Sequence, residues 1–186
     1  MVNTFESIVS PEMPPVPVAL SIGSNLGARR HYIERMESLL ADCIGSDMRV
    51  SCLMETEPLE VAPGQPRYLN RIVCGRYTGT PGELLLSCQS IERRLGRTGK
   101  GLRTARTADV DILLYGDHCI ASEILTVPHP GVLSRRFCLE GLVQLLPDEV
   151  IPRTGRTVRE HHTEMSASVK RQCIRYIVPL GDHDEK

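Results

Sequence analysis

Aromatic residues are what this chain has least of. Its 186 residues include five Tyr (Tyr32, Tyr68, Tyr77, Tyr115 and Tyr176), two Phe (Phe5 and Phe137) and no Trp. A core of this composition must be built from Leu, Ile, Val, Met and Cys, so a ring outside an obvious core position needs an explanation. Long apolar runs are also missing. None approaches the roughly 18 residues of a membrane-spanning helix, which excludes a membrane partner on that count. Excess charge of one sign is absent too, with 22 Lys+Arg against 23 Asp+Glu. That balance argues against a general nucleic-acid binder. The seven cysteines, Cys43, Cys52, Cys74, Cys88, Cys119, Cys138 and Cys173, form no C-x-x-C pair. Most lie in apolar runs, so they are expected to be free thiols acting as small hydrophobes rather than disulfides or zinc ligands. A reducing cytoplasm is the expected location. The first basic residue is Arg29, so the start reads neither as a signal peptide nor as a transit peptide.

The length favours one compact domain. Residues 1–16 read as a loose extension, 17–162 as the domain and 163–186 as a polar tail, in which Cys173 to Val178 could add an edge strand. Val16 to Ile22 is a buried strand that turns at Gly23-Ser24-Asn25. A helix with Ile33, Met36, Leu39, Leu40 and Cys43 on one face follows and stops at Gly45. The turn before it reads as an ordinary strand–turn–helix with a Ser or Asn cap, although its backbone N–H groups would also suit an anion. Met48 to Thr56 is a strand with Val50, Cys52 and Met54 on one side, and Tyr68 to Thr78 is the next. Thr80-Pro81-Gly82-Glu83 is a strong helix start, continued by Leu84, Cys88, Ile91 and Leu95. Val110 to Tyr115 is strand-like, Leu125 to Val127 a further short strand, and Ser134 to Leu146 helical. The order β-α-β-β-α-β followed by a helix is the ferredoxin-like one. The fold class is therefore α+β, an antiparallel sheet with helices packed on it plus a C-terminal helix.

The chemistry concentrates between Arg93 and Asp111. Arg93, Arg94, Arg97, Lys100, Arg103 and Arg106 place six cations in fourteen residues with no acid among them. Asp109 and Asp111 follow at the head of an apolar strand. Residues i and i+2 of a strand share a face, so the two carboxylates converge while Val110 and Ile112 turn away. Hard oxygen ligands with no His or Cys nearby favour Mg²⁺ over zinc. Acids beside a guanidinium cluster suit a polyphosphate, whose charge the arginines neutralise. Taken alone, an Asp-x-Asp pair reads instead as the ion-pairing partner of a solvated basic loop.

Tyr68 and Asn70 also share a strand face. Phe137 falls one residue before the apolar stripe of its helix and points partly away from the core. Two rings and an amide could sandwich a flat heterocycle and read its edge, whereas cross-strand packing is the ordinary role of a strand Tyr. Gln89 and Glu92 form a polar i, i+3 pair, by default solvated. His129 stands between two prolines, a lone histidine of no assigned role by itself.

Together these residues resemble the 6-hydroxymethyl-7,8-dihydropterin pyrophosphokinase family of folate synthesis. The motifs are Ile22-Gly-Ser-Asn-Leu-Gly27, Glu55-Thr-Glu-Pro-Leu59, Gln65-Pro-Arg-Tyr-Leu-Asn70, Gln89-Ser-Ile-Glu-Arg-Arg-Leu-Gly-Arg97, Arg106-Thr-Ala-Asp-Val-Asp-Ile-Leu-Leu-Tyr-Gly116, Val127-Pro-His-Pro130 and Arg135-Arg-Phe137. The resemblance implies pyrophosphoryl transfer from ATP to the pterin hydroxymethyl group, with AMP as the other product. It implies that Asp109 and Asp111 hold two Mg²⁺ ions. Gly23, Thr56, Pro58, Leu59, Tyr68, Asn70 and Phe137 would meet the pterin. Gln89, Glu92, Lys100, Arg103, Ile112, Thr126, His129 and Arg135 would meet ATP. Arg97 and Arg106 would act on the phosphates in transfer. The implied partners are these two small molecules, and a monomer is the expected assembly with a dimer as the alternative.

The sequence departs from the family at Leu102-Arg-Thr-Ala-Arg106, where a Trp and a Gly-Pro are missing. A non-catalytic pterin- or nucleotide-binding module on the same fold is therefore the competing reading. An RNA-binding ferredoxin-like domain is a third, poorly served by so few rings.

Overall fold

A computed structural model describes residues 14–45, 47–59, 64–97 and 104–177. The elements run β1 (Val16–Ser24), α1 (Arg29–Ile44), β2 (Arg49–Val50), β3 (Leu53–Thr56), β4 (Tyr68–Tyr77), α2 (Pro81–Arg94), β5 (Asp109–Tyr115), β6 (Ile120–Ala121), β7 (Thr126–Val127), α3 (Arg136–Leu145), β8 (Val150–Ile151), β9 (Arg156–Thr157), α4 (Val158–Thr163), α5 (Ala167–Lys170) and β10 (Ile174–Ile177). The main sheet has the order β10-β3-β4-β1-β5, with β2 pairing the far end of β4. Every pairing is antiparallel. With β2 and β3 counted as one interrupted strand, this is the ferredoxin-like arrangement. β10 is added at the edge.

The sheet is covered on both faces, which explains why β1 is buried from Val18 to Ser24 rather than alternating. On one face Leu20, Ile22, Val110 and Ile112 pack against Ile33, Met36 and Leu40 of α1 and Leu84, Cys88 and Ile91 of α2. On the other, Ala19, Met54, Ile72, Cys74 and Leu113 pack against α3 and Val158 of α4. Each helix carries its apolar residues at three- and four-residue spacing, so one stripe meets the sheet. α2 starts as expected, with a full capping box between Thr80 and Glu83.

Four sequence expectations are corrected. The N-cap of α1 is Ala28, with no side-chain bond. Asn25 instead joins two loops, accepting Arg106 N–H at 2.7 Å and donating to Pro66 O at 3.3 Å. The strand expected from Met48 to Thr56 is broken at Ser51 and Cys52. Val50 pairs Val73 but Met54 pairs Asn70, a one-residue slip that a β-bulge makes. Val50 and Cys52 are therefore exposed while Met54 is buried. Phe137 is more buried than expected, only 8% exposed and packed in the core. Of the cysteines, only Cys74, Cys88 and Cys138 are buried, whereas Cys52, Cys119 and Cys173 are exposed free thiols.

Gly141 sets how closely α3 lies on the sheet. A Cβ there would fall 2.2 Å from Ile72 Cγ1, so only glycine lets the helix backbone settle onto β4. Phe137 is one turn earlier on the same helix face, and is brought down to the sheet with it.

Candidate active site

Strand register assembles the site. Gly23 of β1 lies opposite Asn70 of β4 on one side and Asp109 of β5 on the other. Ser21, two residues back, lies opposite Asp111. Thr56 lies opposite Tyr68. Residues directly opposite in an antiparallel pair project to the same side. One sheet face thus carries Thr56, Tyr68, Asn70, Gly23, Asp109 and Asp111 in an unbroken patch. Gly23 is the low point of this patch. A Cβ there would stand 2.6 Å from Asn70 Oδ1 and 3.7 Å from Tyr68 Cδ1.

A cavity of about 160 Å³ opens over the patch, lined by Ser21, Gly23, Thr56, Glu57, Leu59, Tyr68, Asn70, Arg106, Asp109, Arg135, Phe137, Gln172, Cys173 and Ile174. Its apolar part is a slot with the Tyr68 and Phe137 rings on its lining. Asn70 is buried at its floor and donates to Thr56 Oγ1 at 2.8 Å. Burial pushes the Tyr68 phenol above its ordinary range, so the ring is neutral in the physiological range. A second cavity of about 290 Å³ adjoins the first, sharing Leu59, Arg135 and Gln172 and adding His129, Pro130, Gly131 and Ser134.

The charged end of the site is a network around β5. Asp109 Oδ1 accepts from Arg97 at 2.7 Å and from Arg106 at 2.9 Å. Arg97 also bonds Glu92 of α2, and Glu92 accepts the Val110 backbone N–H at 2.9 Å. Burial raises the Glu92 carboxyl, with the Val110 bond and Arg97 opposing it. Asp111 has looser company, with Arg135 at 3.5 Å and His129 Nε2 at 3.9 Å from Oδ2. Burial raises its carboxyl, the neighbouring Asp109 raises it further, and His129 and Arg135 pull it back. His129 accepts Gly131 N–H on Nδ1 at 2.9 Å, which turns Nε2 toward Asp111. Burial lowers this imidazole, with Asp111 opposing.

Two like charges on one strand face repel, and the donor set is all hard oxygen. Among the described residues no cluster of three or more His, Cys, Asp or Glu could close round a metal by itself. A site of two carboxylates fits Mg²⁺, which commonly completes its octahedron with water and substrate phosphates.

Most of the expected residues converge here. Pro58, Gln89 and Thr126 line neither cavity, and Glu92, Arg97 and Asp111 join the site through the β5 network rather than as cavity lining. Ile112 is turned into the helix-side core, so only its backbone could serve a nucleotide. Lys100 and Arg103 lie outside the described residues. Three lining residues carry no signal in the sequence that assigns them here: Gln172, Cys173 and Ile174 arrive from the tail. Ser21 and Glu57 were legible in principle, Ser21 as the i−2 neighbour of Gly23 and Glu57 inside the Glu-Thr-Glu-Pro motif.

Fold and site together define a ferredoxin-like α+β domain with a ring-lined slot beside a carboxylate–guanidinium cluster. The family model described as 7,8-dihydro-6-hydroxymethylpterin-pyrophosphokinase matches residues 19–147. The chain belongs to that family. It is 32% identical over 139 residues to the 2-amino-4-hydroxy-6-hydroxymethyldihydropteridine pyrophosphokinase of Synechocystis, covering 75% of this chain and 71% of that one. It is 36% identical over 197 residues to a folate synthesis bifunctional protein of Arabidopsis thaliana, covering 97% of this chain but 38% of the relative. The chain thus spans well under half the length of its bifunctional relatives. A crystal structure of Plasmodium falciparum HPPK-DHPS wild type with pterin and p-hydroxybenzoate superposes with a TM-score of 0.65 at 15% identity, over 87% of this chain and 45% of that one. That likeness concerns the fold.

Proposed function

We propose that the chain transfers a pyrophosphoryl group from ATP to the hydroxymethyl oxygen of 6-hydroxymethyl-7,8-dihydropterin, as a step of folate synthesis. A bond forms between that oxygen and Pβ, its hydroxyl proton is released, the Pα–O–Pβ bridge breaks on the Pβ side, and AMP leaves with the bridging oxygen. The observation that carries this reading is the rung Asn70–Gly23–Asp109. It sets a heterocycle-reading carboxamide and a phosphate-facing carboxylate two strands apart with only a glycine between them, so the two substrates can meet without an intervening side chain.

In this reading the pterin ring lies between Tyr68 and Phe137. Asn70, Thr56 and the backbone of Thr56 to Leu59, Pro58 included, read its edge. Arg135, His129, Gln89, Thr126 and the Ile112 backbone take the nucleotide. Arg97 and Arg106, which rest on Asp109 in this structure, exchange that carboxylate for phosphate oxygens and neutralise charge as it develops. Glu92 holds the head of β5 through Val110, and with it the aim of both Asp side chains. Asp109 and Asp111 would hold Mg²⁺, two ions by family resemblance, which when bound polarises the phosphoryl oxygens and offsets the triphosphate charge. No described helix is long and apolar enough to cross a membrane, and seven free thiols are consistent with a reducing cytoplasm.

Mixing the protein with ATP, Mg²⁺ and the hydroxymethyldihydropterin should release AMP and the pterin diphosphate. Release of ADP would overturn the reaction assigned. Tight binding of both ligands without turnover would instead make the chain a binding module, the outcome its altered loop sequence before Arg106 would then explain.

A further inference from the structure

Part of the pocket comes from beyond the segment that the family model matches. Gln172, Cys173 and Ile174 line it, whereas the family match ends at residue 147. The tail reaches the pocket because β10 pairs with β3, Ile174 lying opposite Thr56. Arg175 of that strand meets Glu55 Oε2 at 2.8 Å, and the Tyr176 hydroxyl donates to Glu140 of α3 at 2.7 Å. The strand is thus tied to both the sheet and the helix.

Gln172 lies just before β10. Helix α3 begins without a cap of its own, since its N-cap Arg135 provides no side-chain acceptor. Gln172 supplies one. Its Oε1 accepts Arg136 N–H at 2.7 Å and its Nε2 donates to Ser134 O at 2.7 Å. One carboxamide from the tail therefore grips the residue before and the residue after Arg135. Phe137 is next in the chain. On the opposite side, Cys173 N–H donates to Glu57 Oε1 at 3.0 Å, in the loop that follows β3. Residues 172 and 173 join the two sides of the slot.

We propose that Gln172 is a positioning residue for heterocycle binding: by capping α3 from beyond the segment that the family model matches, it holds the Phe137 ring opposite Tyr68 and sets the width of the slot. The inference rests on the pterin reading above. Its physical basis is that the first N–H groups of a helix have no partner within it, so an uncapped first turn frays. Fraying at residues 136 and 137 displaces half of the slot. The phosphate end is insulated from that movement, because Asp109 and Asp111 are held by β5. Arg135 keeps its own tie, its N–H donating to Gly131 O at 2.9 Å.

The test uses the full chain with two substitutions. Gln172→Met preserves size and removes both hydrogen bonds, and Gln172→Glu keeps an acceptor for Arg136 N–H. Calorimetric titrations with 6-hydroxymethylpterin and, separately, with Mg-ATP are read beside amide exchange at Arg136 and Phe137. Gln172→Met should weaken pterin binding about tenfold, the equivalent of ~1.4 kcal/mol, hold ATP affinity within about twofold and speed exchange at both amides. Gln172→Glu should regain most of the pterin affinity. Unchanged pterin affinity in Gln172→Met, or an equal loss for pterin and ATP, overturns the proposal. A cap that only stabilised the fold would produce one of those two patterns. A native chain that binds no pterin overturns the pterin reading as well, so the two failures are distinguishable.

Discussion

Asp109 and Asp111 project from one face of β5, and their carboxylates are held in opposite ways. Asp109 is gripped by two guanidiniums, Arg97 at 2.7 Å and Arg106 at 2.9 Å. Asp111 meets Arg135 only at 3.5 Å and His129 at 3.9 Å, and burial together with Asp109 raises its carboxyl above the ordinary range. One carboxylate is satisfied by the protein. The other is held at a cost that a bound cation would relieve.

That asymmetry separates the two isosteric amides. Both Asp109→Asn and Asp111→Asn should lower AMP formation by about 10³ or more, since each removes a carboxylate that would hold the Mg²⁺ offsetting the phosphate charge. Their melting curves should part. Asp111→Asn ends a repulsion and should melt at or above the native temperature. Asp109→Asn removes the carboxylate that Arg97 and Arg106 share and should lose about 1–3 kcal/mol. Equal melting shifts would refute the asymmetry.

Arg97 links Glu92 of α2 to Asp109 and does not line the Tyr68–Phe137 slot. Arg97→Ala should therefore cut kcat by about 10²–10³ through lost stabilisation of developing phosphate charge. Pterin affinity, measured by titration, should stay at the native value. A variant that bound pterin poorly but turned over normally would move Arg97 out of the phosphate end.

Gly23→Ala places a methyl 2.6 Å from Asn70 Oδ1. The carboxamide must shift, and its bond to Thr56 Oγ1 goes with it. Overpacking of this kind costs about 1–3 kcal/mol, so the far-UV spectrum should be kept while pterin affinity drops. Native affinity would mean that Asn70 does not read the heterocycle.

Glu140 accepts from Arg136, His162 and Tyr176. Burial works to raise its carboxyl, but these hydrogen bonds outweigh it and the group is net lowered. A carboxyl that is lowered on folding stabilises the native state above its unfolded pKa, about 4.3, and that contribution disappears as pH falls through the folded value. Acid should thus loosen the junction between β10 and α3. Melting followed from pH 7 to pH 3 should show a steeper acid loss for the native chain than for Glu140→Gln, which starts lower and changes less. Parallel curves would refute it.

Much of the site was legible in the sequence because strands have a period of two. Asp109 with Asp111 and Tyr68 with Asn70 each share a face by spacing alone. The Thr80–Glu83 box located α2, and alternation turned Val110 and Ile112 away from the carboxylates. The misreadings have local causes. Nothing in Met48 to Thr56 announces the slip that Ser51 makes by bonding both the N–H and the C=O of Ile72. Asn25 looked like a helix cap because a short amide after a turn usually is one, but two loops distant in the chain compete for it.

Local pattern by itself determined α1, α2, α3 and the long strands β1, β4 and β5, together with the carboxylate pair and the ring-and-amide pair, since each depends on residues a few positions apart. Tertiary structure alone decided which pairs meet. The rung Asn70–Gly23–Asp109 exists because β1 runs between β4 and β5, a pairing set by burial of both sheet faces rather than by any local propensity. The tail is the clearest case: Gln172 reaches the start of α3 only because β10 completes the edge of the sheet beside β3, and nothing near Gln172 in the chain encodes that distance.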